Sequence, residues 1–169
     1  PEKNLPMILT AYKKVLKEFP KANLVFAGGG VFLEKLKEIT SNMGLSKKVF
    51  FTDLVQMEER GGYFREGDIF VHSSLSETQG LVLVDSLMVG VPLVAIEANG
   101  VRDIVKYGVN GVLTQNSAEA LAEGILKLLR DKKLRAKLAK GASESAKQYT
   151  IQVTSKKLEA VYTKVLKGN

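Results

Sequence analysis

The chain has 169 residues, 45% hydrophobic and 25% charged, with a formal net charge of +7. That length suits one domain with one substantial core, and the composition excludes disordered and fibrous classes. With no cysteine, a disulfide framework, thiol catalysis and cysteine-ligated metal clusters are excluded as well, and with a single histidine, His72, a histidine-based metal site is not expected. The positive charge is local: residues 1 to 119 hold 13 Lys and Arg against 14 Asp and Glu, and residues 120 to 169 hold 12 against 4. A generically basic nucleic-acid binder is therefore not expected. No apolar leader with a cleavage site is visible at PEKNLPMILTAYKK, and a cytoplasmic setting is expected.

From the first residues onward, helical and strand-like segments alternate. Leu5 to Phe19 carries Ile8, Leu9, Tyr12, Val15, Leu16 and Phe19 at helical spacing, with Pro6 in its first turn and Pro20 beyond its end. Asn23 to Ala27 is a short apolar run ending in Gly28-Gly29-Gly30, and Phe32 to Met43 reads as a second helix closed by Gly44. Strand character returns at Val49 to Thr52, Asp68 to His72, Pro92 to Ile96 and Gly111 to Thr114. Gly80 to Ala98 is mostly apolar, but Asp85, Gly90, Pro92 and Glu97 interrupt it, so a buried helix, a turn and a buried strand are expected there. Ala118 to Leu129, Leu134 to Tyr149 and Ile151 to Leu166 complete the chain as helices. The pattern predicts one domain over 1–169: a Rossmann-like, three-layer α/β/α sandwich with a parallel sheet, followed by C-terminal helices from about residue 117.

In such a sheet the ligand site lies beyond the carboxyl ends of the strands. Gly28-Gly29-Gly30 follows a strand, but position 33 is Leu33, so the dinucleotide fingerprint is not met and a tight turn suffices as an explanation. The segment SSLSETQGLVLVDSLMVGVPLVA says more. Glu77 precedes a helix expected to begin near Gln79-Gly80, and Asp85 lies eight residues after Glu77. Free amides at Gly80 and Leu81 would suit a phosphate or diphosphate. A carboxylate on each side of that anion site suits a ligand that carries hydroxyls beside its phosphates, as a nucleotide-sugar does. The alternatives are that Glu77 merely caps the helix and that Asp85 faces water; an apolar surrounding of Leu81, Val82, Leu83, Val84, Leu87 and Met88 speaks against the latter. Lys3, in the charged start Pro1-Glu2-Lys3-Asn4, either neutralises a diphosphate or is simply solvated.

PEKNLPMILTAYKKVLKEFPKANLVFAGGG, VFFTDLVQMEE, DIFVHSSLSETQGLVLVDSLMVGVPLVA and GVRDIVKYGVNGVLT together resemble the C-terminal, donor-binding domain of retaining transferases of the glycosyltransferases group 1 family. The resemblance implies half of a GT-B fold and transfer of a hexosyl group from a nucleotide donor, linked to UDP or GDP, to a glycan or lipid, with retention and without a metal or other cofactor. It implies that Glu77 contacts the donor sugar beside the reacting carbon and that Lys3 stabilises the departing diphosphate. It further implies that Thr78, Gln79, Gly80 and Leu81 bind sugar hydroxyls and phosphate, that Asp85 binds the ribose, and that Leu54 and Val55 lie near the base. Asp85 is one methylene shorter than the usual glutamate of this E-x7-E pattern.

The family's first strand and the N-terminal acceptor-binding domain are expected to lie before Pro1, so the chain by itself is expected to bind donor weakly and not to transfer sugar. The ETQG form of the motif resembles glycolipid-forming members. The basic segment Lys127 to Lys140 would then meet an anionic membrane surface, making the protein membrane-peripheral, or would be only a solvated helix face. A nucleotide-sugar epimerase of the same architecture and a non-catalytic membrane-surface module are the competing readings.

Overall fold

A computed structural model describes residues 2–78 and 80–167. Eight α-helices and five strands alternate in the expected manner. The first three pairs of elements are α1 (Leu5–Glu18), β1 (Leu24–Phe26), α2 (Leu33–Asn42), β2 (Val49–Phe51), α3 (Arg60–Glu66) and β3 (Phe70–His72). They are followed by α4 (Leu81–Met88), β4 (Leu93–Ile96), α5 (Asn99–Ile104), β5 (Gly111–Thr114), α6 (Ala118–Arg130), α7 (Lys132–Ala146) and α8 (Ile151–Leu166).

Among the described residues every strand pairing is parallel. β1 pairs with β2, and β3, β4 and β5 form a second sheet in that order. The parallel arrangement places the ends of β3 and β4 together, because His72 pairs with Ala95 in register. Among the described residues β1 and β3 are each paired on one side only. The single sheet of the sequence reading is thus two sheets. Leu24 and Phe26 of β1 and Val71 of β3 nevertheless pack on one apolar cluster.

Strand β4 is the centre of the fold and is buried throughout. Its side chains alternate: Val94 and Ile96 enter a cluster with Leu9, Val15, Leu121 and Leu128 of α1 and α6, whereas Leu93 and Ala95 enter one with Leu83, Leu87, Val101 and Ala142 of α4, α5 and α7. Successive strand residues face opposite sides, so this alternation produces helical layers on both faces and the expected three-layer sandwich.

The helix ends follow local chemistry. Pro6 occupies the first turn of α1, where its missing N–H costs nothing. Ser117 caps α6 by accepting from the Ala120 amide (3.1 Å), and Asp131 caps α7 by accepting from the Leu134 amide (2.9 Å). The cap at Asp131 starts α7 at Lys132, two residues before the sequence reading placed it. Across the α1/α6 contact, Arg130 donates to Glu18 (2.7 Å) and holds its carboxyl below the usual carboxylate range.

Helices α3 and α5 were not placed individually from sequence. α3 contains Gly61-Gly62 and buries no residue, so it carries no apolar stripe to read. α5 spans only six residues. α8 also buries no residue, and Ile151, Leu158, Tyr162 and Val165 are exposed along it. Among the described residues no helix is long and apolar enough to cross a membrane.

Candidate functional site

The carboxyl ends of β1, β2 and β3 carry the glycine turn 28–30, the loop with Leu54 and Val55 and the segment 77–80. After β3 the chain runs through Ser73 and Ser74, both buried, into an irregular loop that ends at Gly80. Gly80 adopts a left-handed conformation (φ 58°, ψ 33°) immediately before α4, a backbone state that glycine enters without the penalty a Cβ brings. Its position is also crowded: a Cβ there would lie 2.5 Å from Ile104 Cδ1. Helix α4 is anchored by Leu83 and Leu87, both fully buried, and by the Ser86 hydroxyl, which donates to the Val91 carbonyl (3.0 Å) across the turn into β4.

Glu77 sits at the start of this helix. Its Oε1 accepts from the Gly80 amide at 3.0 Å, and its Oε2 lies 3.7 Å from Nε2 of His72. The Gly80 amide expected to be free for an anion is therefore occupied, and Glu77 does cap this turn. Among the described residues the Leu81 and Val82 amides have no acceptor, so part of the anion-binding character of a helix start is retained. The Glu77 backbone is braced from the other side by Gly100 of α5, where any Cβ would collide with the Glu77 carbonyl.

Lys3 is brought to the same place. The Ser73 hydroxyl reaches the carbonyls of Lys3 (2.6 Å) and Asn4 (3.1 Å), tying the chain before α1 to the end of β3. Asn4 is left-handed (φ 49°), a conformation that asparagine tolerates better than most residues. Lys3 itself is exposed, and its positive charge reaches His72. Burial is the main cause that lowers the His72 pKa below its ordinary value; the Glu77 charge opposes this and the Lys3 charge adds to it.

Asp85 lies one turn along α4 from Leu81. It is half-buried and forms no ion pair or hydrogen bond among the described residues. The apolar surrounding expected for it is only partly present: Leu81 is 66% exposed, and Val82 and Met88 are also exposed, whereas Leu83 and Leu87 are fully buried and Val84 packs on the same cluster. Asp85 therefore lies in the second turn of the helix, between its buried and its exposed faces. Thr78 is exposed beside Glu77. Gln79 falls outside the described residues.

The glycine turn after β1 meets the loop after β2. The Gly28 amide donates to Thr52 Oγ1 (2.9 Å), and a Cβ on Gly29 would stand 3.5 Å from the Leu54 amide. Leu54 is exposed and Val55 half-buried in that loop. The structure thus gathers Lys3, His72 and Glu77 at one strand end, with Asp85 on the helix that begins there. It places Leu54 and Val55 with the glycines at the ends of the other sheet.

Ser73, His72, Asn4 and Gly100 went unnoticed as site-forming residues. Ser73 reaches back to Lys3 and Asn4, and Gly100 abuts Glu77, contacts between distant parts of the chain, while His72 approaches Glu77 only through the course of the loop between them.

Elsewhere, a cleft of about 330 Å³ lies beside the amino ends of β3 and β4, lined by Arg65, Lys132 and Arg135 with Asp68. Arg135 pairs with Asp68 there at 3.2 Å. In the basic segment, Lys127 donates to the Tyr107 hydroxyl (3.0 Å) and Arg130 to Glu18 and Glu123. Part of that segment's charge is thereby engaged within the fold. Among the described residues no group of three His, Asp or Glu is disposed to hold a metal ion.

The family model for glycosyl transferases group 1 matches residues 1–145. An alpha-monoglucosyldiacylglycerol synthase of Streptococcus pneumoniae is 42% identical over 94 residues, 56% of this chain and 21% of that protein. A sulfoquinovosyl transferase of Arabidopsis thaliana is 30% identical over 161 residues, 93% of this chain and 30% of that protein. The matched region thus spans under a third of the length of either relative. A solved Anabaena protein in complex with UDP-glucose has the same fold, with a TM-score of 0.84 at 23% identity over 96% of this chain and 46% of that one.

Proposed function

Since this chain belongs to the glycosyl transferases group 1 family, we propose that it is the nucleotide-sugar-binding part of a retaining hexosyltransferase that acts on a lipid or glycan acceptor without a metal. The observation that carries this reading is Glu77, whose carboxylate is seated at the start of α4 while Ser73 ties the Lys3 segment to the same strand end. A diphosphate placed over the open Leu81 and Val82 amides would have the Lys3 ammonium as counter-charge. Glu77 would face the sugar, and Asp85, about 6 Å further along the helix axis, would face the ribose.

In this arrangement Lys3 and the helix start stabilise the charge that grows on the leaving diphosphate, an interaction stronger in the transition state than in the ground state. Glu77 orients the sugar through its hydroxyls and steadies positive charge at the anomeric carbon. The pneumococcal relative, named for a glucosyldiacylglycerol product, and the UDP-glucose held by the Anabaena protein support a UDP-hexose donor and a lipid acceptor. The acceptor site is assigned to sequence beyond this chain, because the relatives are more than twice as long.

A thermal-shift panel of UDP, GDP and ADP with their hexose conjugates tests this. At least one nucleoside diphosphate or its sugar raises the melting temperature, and Glu77→Ala and Lys3→Ala each reduce the rise. Absence of any shift across the panel contradicts the reading.

A further inference from the structure

His72 is the chain's only histidine, is 8% exposed at the end of β3, and has a buried Nε2 with no hydrogen-bond partner among the described residues. An unpaired buried imidazole nitrogen is costly enough that it should have a purpose or a partner. Among the described residues the ionic group paired with it is Glu77, with Oε2 at 3.7 Å, too far for a hydrogen bond as it stands. Lys3 is the other charge it senses. Among the described residues Glu77 is itself held at one oxygen, by the Gly80 amide. It sits in irregular backbone, so a movement of about 1 Å brings Oε2 into bonding range.

We propose that His72 is a positioning residue for Glu77: its Nε2–H donates to Oε2 and, with the Gly80 amide on Oε1, fixes the plane in which the carboxylate meets the hydroxyls of a donor sugar. This rests on the nucleotide-sugar reading of the site. Each carboxylate oxygen accepts more than one hydrogen bond, so both remain available to the ligand after the two protein donors are in place. Without His72 the carboxylate is held at one oxygen and can swing about that bond. Both the imidazolium and the neutral tautomer protonated at Nε2 carry the donor required, and burial favours the neutral form.

Two measurements test the proposal. In the ligand-free protein, the single histidine gives one proton resonance whose titration reports its surroundings directly. Glu77→Gln keeps an acceptor for Gly80 but removes the charge, and the His72 midpoint should fall by about one pH unit; an unchanged midpoint overturns the pairing.

By calorimetry, UDP-glucose and GDP-mannose are each compared with the free diphosphate. His72→Phe should weaken the nucleotide-sugar about tenfold and leave the diphosphate unchanged. His72→Gln, which places an N–H near the position of Nε2, should restore most of the loss. Equal weakening of sugar-bearing and sugar-free ligands, or no rescue by glutamine, overturns the positioning role in favour of a purely structural one. Failure of the unaltered chain to bind any of the four ligands overturns the nucleotide-sugar reading and this role with it, whereas tight sugar-nucleotide binding that survives His72→Phe overturns the role alone.

Discussion

Replacing Gly80 by alanine probes the start of α4 most sharply, because two separate penalties meet there. Gly80 has a left-handed backbone (φ 58°, ψ 33°), which costs a residue with a Cβ about 1 kcal/mol. The new methyl would stand 2.5 Å from Ile104 Cδ1 and 3.1 Å from Leu83 Cδ1, and overpacking of that kind costs about 1 to 3 kcal/mol. The sum is about 2 to 4 kcal/mol, or a drop in melting temperature of about 5 to 15 °C for a domain of this size.

Ile104→Val removes the clashing Cδ1 and by itself costs about 1 kcal/mol. In the double variant the main clash is gone, so its total cost should be smaller than the two single costs added together, by at least about 1 kcal/mol. Urea unfolding of the four proteins measures the cycle. Additivity within about 0.5 kcal/mol would refute the claim that Gly80 is required for close packing against α5.

Other consequences follow from the same geometry. Ser73→Ala removes the tie to Lys3 and should cost about 1 kcal/mol in urea unfolding, together with weaker binding of a nucleoside diphosphate through loss of the Lys3 position; unchanged binding would separate Lys3 from the site. For His72, burial lowers the folded-state pKa below 6.5 despite the opposing Glu77. The unfolded chain therefore binds a proton that the folded one resists as pH falls below about 6.5, and stability declines there. His72→Gln should flatten that part of the stability profile relative to the unaltered chain, and parallel profiles would contradict it. Deleting residues 151–169 should move the melting temperature by no more than about 2 °C, because α8 buries no residue; a larger loss would show that α8 is packed in solution.

The strength of the apolar pattern decided which elements could be read in advance. Helix α1, with Ile8, Leu9, Tyr12 and Val15 on one buried face, and strand β4, buried along its whole length, announce themselves in sequence. Helix α3 does not, since Gly61-Gly62 and an exposed surface leave no periodicity. The division into two parallel sheets was also out of reach, because strand neighbours are set by contacts between distant segments.

At the site, Glu77 and Lys3 were legible from their places beside a helix start and in the first loop, and the structure brings them to one strand end. Around Asp85 apolar residue type is a poor guide to burial, because Leu81, Val82 and Met88 are exposed while Leu83 and Leu87 are buried. The Gly80 amide is not free, because the side chain of a glutamate three residues earlier reaches it. His72 was passed over because a lone histidine has no pattern. Only its burial and its approach to Glu77 make it informative.

The central claim, that the start of α4 receives the diphosphate of a sugar nucleotide, is tested most directly by following backbone amide resonances while UDP and then UDP-glucose are added. The account predicts that the amides of Leu81 and Val82 shift with both ligands and that those of Glu77, Thr78 and Gly80 shift further with the sugar present. Shifts confined to the cationic cleft at Arg65, Lys132 and Arg135, or no shifts at saturating concentration, would contradict it.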